Sequence, residues 1–135
     1  MATVTVTPEN FESTIVDNDI VFLDFWASWC GPCRAFGPVF ESASEQHEDI
    51  VFAKVNTEEQ PQLAAMFGIT SIPTLVAFRE RVMVYGEAGA LPGPDFDHLI
   101  GTVKNLDMDD VHRKVAEAQA KADAEQPAEQ QATGT

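Results

Sequence analysis

The chain has 135 residues with 44% hydrophobic content, enough for one domain with a packed core. Twenty-two acids against eight bases give a net charge of −14, which argues against a nucleic-acid or anionic-membrane partner. Two cysteines exclude a multi-bridge disulfide scaffold and a zinc site built from cysteines alone. Apolar runs such as Thr74 to Phe78 are far too short to span a bilayer. Met1 to Val4 shows neither the basic start nor the leucine-rich stretch of a secretory signal, so the expectation is a cytoplasmic protein.

Thr3 to Thr7 alternates valine with threonine and predicts a short strand ended by Pro8. Thr7-Pro8-Glu9 supplies an N-cap, a first-turn proline and an early acid for a short helix that turns Phe11, Ile15 and Val16 one way. Ile20 to Ala27 is apolar except for Asp24 and predicts a strand buried on both faces. A helix follows from Pro32 to His47, with Phe36, Val39, Phe40 and Ala43 on one side and a kink expected at Pro38, beside Gly37. Ile50 to Asn56 predicts another strand, and Pro61 to Phe67 a short helix closed by Gly68.

Thr74 to Arg79 and Val82 to Glu87 face each other across Glu80-Arg81 and must pair antiparallel. Without glycine a type I′ turn is uncomfortable there, so the hairpin is expected to use another turn or to carry strain. Asp95 to Asn105 predicts an amphipathic helix after Pro92-Gly93-Pro94. Beyond it, Asp109 to Glu125 predicts an alanine-rich helix capped by Asp109 or Asp110, with a thin stripe of Val111, Val115, Ala118 and Ala122. The order β-α-β-α-β-α-β-β-α gives an α/β fold with a mixed central sheet and helices on both faces. Residues 1–106 form the domain, 107–125 an extra helix, and 126–135 a tail expected to be disordered.

Asp24-Phe25-Trp26-Ala27-Ser28-Trp29-Cys30-Gly31-Pro32-Cys33 leaves the C-terminal end of a buried strand and enters a helix, where open α/β sheets place their active sites. Cysteines three apart on a first helical turn can close a local disulfide or supply two metal ligands. The metal reading needs further ligands, and His47, His98 and His112 are isolated. A third reading, two inert core cysteines, is weakened by Gly31-Pro32 between them and Trp29 beside them. Neither a metal nor a cofactor is expected.

At the helix start Cys30 meets free backbone N–H groups and the positive end of the helix dipole, and both stabilise a thiolate. Lowering the pKa from about 8.5 to about 7 makes roughly half of the thiol reactive and needs about 2 kcal/mol. Pro32 removes an N–H that would be unpaired anyway. Cys33, one turn further in, should be the more buried thiol, suited to resolving rather than attacking. Asp24 is expensive when ionised inside an apolar strand unless paired, so its pKa should rise and make it a proton carrier near Cys33. The alternative is an Asp24 on a solvent-facing side of the strand. Lys54 is the matching oddity on the next apolar strand and can share a pocket with Asp24. Pro73 must stand at the start or edge of its strand. A cis peptide there would leave the Ile72 and Pro73 backbone exposed.

Asp-Phe-Trp-Ala-x-Trp-Cys-Gly-Pro-Cys followed by Ile-Pro-Thr-Leu resembles the thioredoxin family, from about Val4 to Leu106. The resemblance implies that Cys30 is the nucleophile, Cys33 resolves, and Asp24 handles the resolving thiol's proton with Lys54 beside it. Gly31 and Pro32 support the pair, and Pro38 kinks the helix. Ile72-Pro73 would be a cis-proline dipeptide that pairs with an extended substrate, and Trp29, Ile72, Gly89 and Ala90 would form a shallow apolar groove. The implied activity is protein-disulfide reduction, with recycling by an NADPH-dependent thioredoxin reductase. Implied clients are of the ribonucleotide reductase, peroxiredoxin and methionine sulfoxide reductase types. The competing function is a binding or scaffold module on the same fold that does not need the cysteines. Arg34 where the family has lysine, Gly37 beside Pro38, the glycine-free hairpin and the segment after Asp107 depart from the family pattern.

Overall fold

The computed structural model describes residues 2–125, in two units, one ending at Lys104 and one beginning at Asn105. The first contains β1 (Thr3–Thr5), α1 (Phe11–Val16), β2 (Ile20–Trp26), α2 (Gly31–Gln46), β3 (Val51–Asn56), α3 (Pro61–Met66), β4 (Thr74–Arg79), β5 (Val82–Ala88) and α4 (Gly93–Lys104). One sheet results, in the order β1-β3-β2-β4-β5. β1, β3 and β2 run parallel, because helices carry the chain back between them, while β4 and β5 are antiparallel additions. This is the expected mixed α/β sheet.

Alternation along β2 divides the core. Ile20 and Phe22 meet Phe36, Phe40 and Ala43 of α2 and Phe96, Ile100 and Val103 of α4. Val21, Leu23 and Phe25 meet Ile15 of α1 and Leu63 of α3 on the other face. Asp24 and Trp26 share the parity of Phe22, and Lys54 that of Phe52, so all three belong to the α2 face. Asp24 and Lys54 are direct partners in the β2–β3 register.

Local details differ from the sequence reading where polar residues compete. Thr7 does not cap α1. Asn10 Oδ1 accepts the Thr7 N–H at 2.8 Å, so Pro8 falls in a turn and the helix begins at Phe11. α2 runs unbroken through Gly37 and Pro38, with Phe36 and Phe40 packed on either side of the proline. α4 starts at Gly93, which puts Pro94 in the first turn, where its missing N–H is no loss.

The hairpin turn takes left-handed φ at both Glu80 (+50°) and Arg81 (+67°). That is the I′ pattern the side chains disfavour, formed because it matches the twist of paired strands. The Glu80 N–H also donates to the Asp19 carbonyl at 2.7 Å, which fixes the turn from outside.

In the second unit α5 spans Met108–Glu125. Asp107, rather than Asp109 or Asp110, caps it: its Oδ1 accepts the Asp110 N–H at 3.2 Å and its carbonyl the Val111 N–H at 3.0 Å. Asp109 and Asp110 occupy the first turn, where the dipole favours them, and Asp110 pairs with Arg113 and with Lys114 at 3.0 Å. The tail expected at 126–135 lies outside the described residues. Among the described residues no helix is long and apolar enough to cross a membrane.

Candidate active site

From the end of β2 the chain turns through Ala27-Ser28-Trp29 and delivers Cys30 as the N-cap of α2. The Cys30 N–H donates to the Ala27 carbonyl at 3.2 Å, and the Arg34 guanidinium donates to the Ser28 carbonyl at 3.0 Å, which braces the turn. Cys30 and Cys33 are joined as a disulfide with Cα atoms 5.2 Å apart. Among the described residues no three His, Cys, Asp or Glu side chains are grouped to hold a metal ion.

The Cys33 backbone N–H donates to Cys30 Sγ at 3.2 Å. Gly31 leaves open space where a side chain would stand, and Pro32 fills the first turn. Both cysteines are 4% exposed, so the expected contrast in burial is not present.

The Ile72–Pro73 peptide is cis, immediately before β4. Cys30 Sγ lies 3.7 Å from the Ile72 carbonyl oxygen. The Pro73 carbonyl accepts the Gly89 N–H at 2.8 Å, and Gly89 has φ of +116°, a conformation that strains any side chain. Thr74 Oγ1 donates to the Ser71 carbonyl at 2.6 Å and secures the approach.

Trp29 is 64% exposed and, with Thr57, Ala64, Ile69, Thr70, Ser71 and Ile72, lines an open depression of about 320 Å³. Gly89 and Ala90 do not line it. Gly89 joins the site through its hydrogen bond to Pro73. The sequence reading missed Glu58, whose carboxylate accepts the Trp29 indole N–H. Its signal was Asn56 at a strand end, an Asx-turn residue that caps Glu58 and Glu59.

Asp24 is 1% exposed, which excludes a solvent-facing position, and neither carboxylate oxygen has a hydrogen-bond partner. Burial pushes its pKa up from 3.8 to about 7, against the opposing pull of Lys54. Lys54 does not bond it. Its ammonium stands 4.7 Å from the centre of the Trp26 ring, a cation–π contact that keeps the charge close without neutralising the acid.

The thioredoxin family profile matches residues 2–105. "Putative thioredoxin 2" of Streptomyces coelicolor is 54% identical over 121 residues, 90% of each chain. That match is longer than the family profile and so extends into α5. "Thioredoxin" of Alicyclobacillus acidocaldarius is 48% identical over 79 residues, covering 58% of this chain and 75% of its own. Among solved structures, a mutant thioredoxin from Halobacterium salinarum superposes with a TM-score of 0.72 at 33% identity, covering 77% of this chain and 92% of its own. The chain therefore belongs to the thioredoxin family, with an intact redox-active cysteine pair and an additional C-terminal helix beyond the shared fold.

Proposed function

We propose that the protein is a protein-disulfide reductase that shuttles between a dithiol and the Cys30–Cys33 disulfide. The observation that carries this reading is the placement of Cys30 Sγ at the start of α2, 3.2 Å from an activating N–H and 3.7 Å from the Ile72 carbonyl. That geometry lets a client backbone lie along Ile72 while its sulfur faces Cys30.

In the reduced protein the Cys30 thiolate attacks one sulfur of a client disulfide. The client S–S bond breaks, a Cys30–client bond forms, and the departing client sulfur takes up a proton. Cys33 then gives up its proton and attacks Cys30 Sγ, which closes the Cys30–Cys33 bond and expels the second client sulfur. Two electrons pass to the client. Asp24, on the α2 face with a pKa of about 7, is the acceptor for the Cys33 proton near neutral pH. The second step is fast because the resolving sulfur is already in place.

Recycling requires a two-electron donor, and an NADPH-dependent thioredoxin reductase is the proposed partner. Ribonucleotide reductase, peroxiredoxin and methionine sulfoxide reductase types are the proposed clients, and the cytoplasm, where thiols are kept reduced, is the proposed setting. The test is insulin reduction with NADPH and a thioredoxin reductase. Cys30→Ser should lower turnover at least about 10³-fold, the scale of losing a covalent nucleophile. Cys33→Ser should accumulate the mixed disulfide. The wild-type pair should have a reduction potential of about −270 mV. A Cys30→Ser protein with full function would instead identify a binding module.

A further inference from the structure

We propose that Glu58 is a positioning residue for client binding, whose carboxylate tethers Trp29 as a fixed wall of the depression beside Cys30. The proposal rests on the reductase reading and specifies how that site recognises its client.

Trp29 is a large ring, 64% exposed, on a turn directly before the reactive cysteine. Left free, such a side chain samples several rotamers, and a client that packs on it must immobilise it. Here the indole N–H donates to the Glu58 carboxylate, so the ring is already held before the client arrives.

The tether is itself rigid. Asn56 Oδ1 accepts the N–H groups of Glu58 at 2.9 Å and Glu59 at 3.2 Å, and the Asn56 carbonyl accepts that of Gln60 at 2.8 Å. Thr57 donates to the Trp26 carbonyl twice, from its N–H at 2.9 Å and its hydroxyl at 3.2 Å. Glu58 and Cys30 are thus both referenced to the same end of β2. A hydrogen bond from a turn built this way fixes the indole relative to the sulfur. The bond to an ionised acceptor is the stronger kind, yet a neutral oxygen in the same place suffices to orient the ring.

The consequence belongs to binding and not to sulfur chemistry. Reduced Glu58→Ala should show a KM for insulin raised about five-fold, or about 1 kcal/mol, with kcat unchanged. Its rate with 5,5′-dithiobis(2-nitrobenzoate), a disulfide too small to need the wall, should stay within about two-fold of wild type. Glu58→Gln keeps an acceptor oxygen and should restore the wild-type KM. Time-resolved fluorescence anisotropy of Trp29, in a Trp26→Phe background, should show fast local motion in Glu58→Ala and not in Glu58→Gln.

Equal KM values in Glu58→Ala and wild type would overturn the tether. So would a Glu58→Gln protein that behaves like Glu58→Ala, since that outcome makes the charge, and not the bond, responsible. A wild type that fails to reduce insulin while reacting with the small disulfide would instead overturn the reductase reading, and the client role of Glu58 with it.

Discussion

The two faces of the sheet are packed with different chemistry. On the α2–α4 face the core is a cluster of rings, Phe22, Phe36, Phe40, Phe52 and Phe96, with centroids 5.4 to 6.1 Å apart in edge, tilted and stacked contacts. On the α1–α3 face the buried side chains are the aliphatic Val6, Ile15, Val21, Leu23, Val55, Leu63 and Val76 around Phe25, and the further rings there, Phe11, Phe67 and Phe78, are only partly buried. The polar groups differ as well. Thr14 and Thr74 are buried but satisfied by backbone carbonyls. Asp24, on the ring-lined face, is buried and unsatisfied. A cluster of interlocked rings resists local rearrangement. The ring-lined face thus holds a buried acid at the end of β2 from which the cysteines depart.

The largest effect expected from this contrast is at Phe96, which contacts the rings of Phe22, Phe36, Phe40 and Phe52 at once. Phe96→Ala should lose about 5 kcal/mol, the upper end for a buried ring, because the neighbouring rings cannot collapse into the gap. Leu63→Ala on the other face should lose about 3 kcal/mol, since its partly exposed neighbours relax more readily. Urea unfolding of both measures this, and equal losses would erase the distinction.

Asp24 supplies the next effect. Its folded pKa, about 7, is above the unfolded 3.8, so between those values the folded state holds a proton that the unfolded state has released. Stability therefore falls as pH rises through this window and levels off above it. A shift of about 3 units corresponds to about 4 kcal/mol. Asp24→Ala removes the slope, so its stability relative to wild type should be about 4 kcal/mol more favourable at pH 8 than at pH 3. A difference that does not change with pH would show that burial does not hold the acid's pKa up.

Asp24 was visible in the sequence because a charge inside Val21 to Trp26 breaks an apolar run, and the same holds for Lys54. The central strands were legible as short apolar runs, and the amphipathic helices by their period of about 3.6. What escaped were choices among similar neighbours. The sequence pointed to Thr7 where the helix starts after Asn10, and to Asp109 or Asp110 where Asp107 caps, because the choice is fixed by backbone geometry that composition does not encode. Glu58 was hidden in the polar run Thr57 to Gln60, and its importance appears only when the fold brings Trp29 beside it.

The smallest effect tests how the edge strand serves the two faces. β5 sends Val84 and Tyr85 against the ring cluster, while Met83 is half exposed on the opposite side. A register shift opposite Ala77-Phe78, which leaves Val84 unpaired, turns Val84 and Tyr85 the same way, and the register that precedes it is set at Glu80-Arg81, where both residues adopt a conformation that side chains resist. Arg81 at φ of +67° is exposed, so its replacement removes no packing. Arg81→Gly relieves the left-handed strain but gains freedom in the unfolded chain, and the two oppose each other. Relief of strain is the larger, because the position is clearly left-handed, and the net should be a stabilisation of about 1 kcal/mol. Urea unfolding would register it as a higher midpoint with an unchanged slope. A lower midpoint would mean that the Arg81 side chain contributes more than its backbone loses, and that the hairpin is held by side-chain contacts rather than by the twist of its strands.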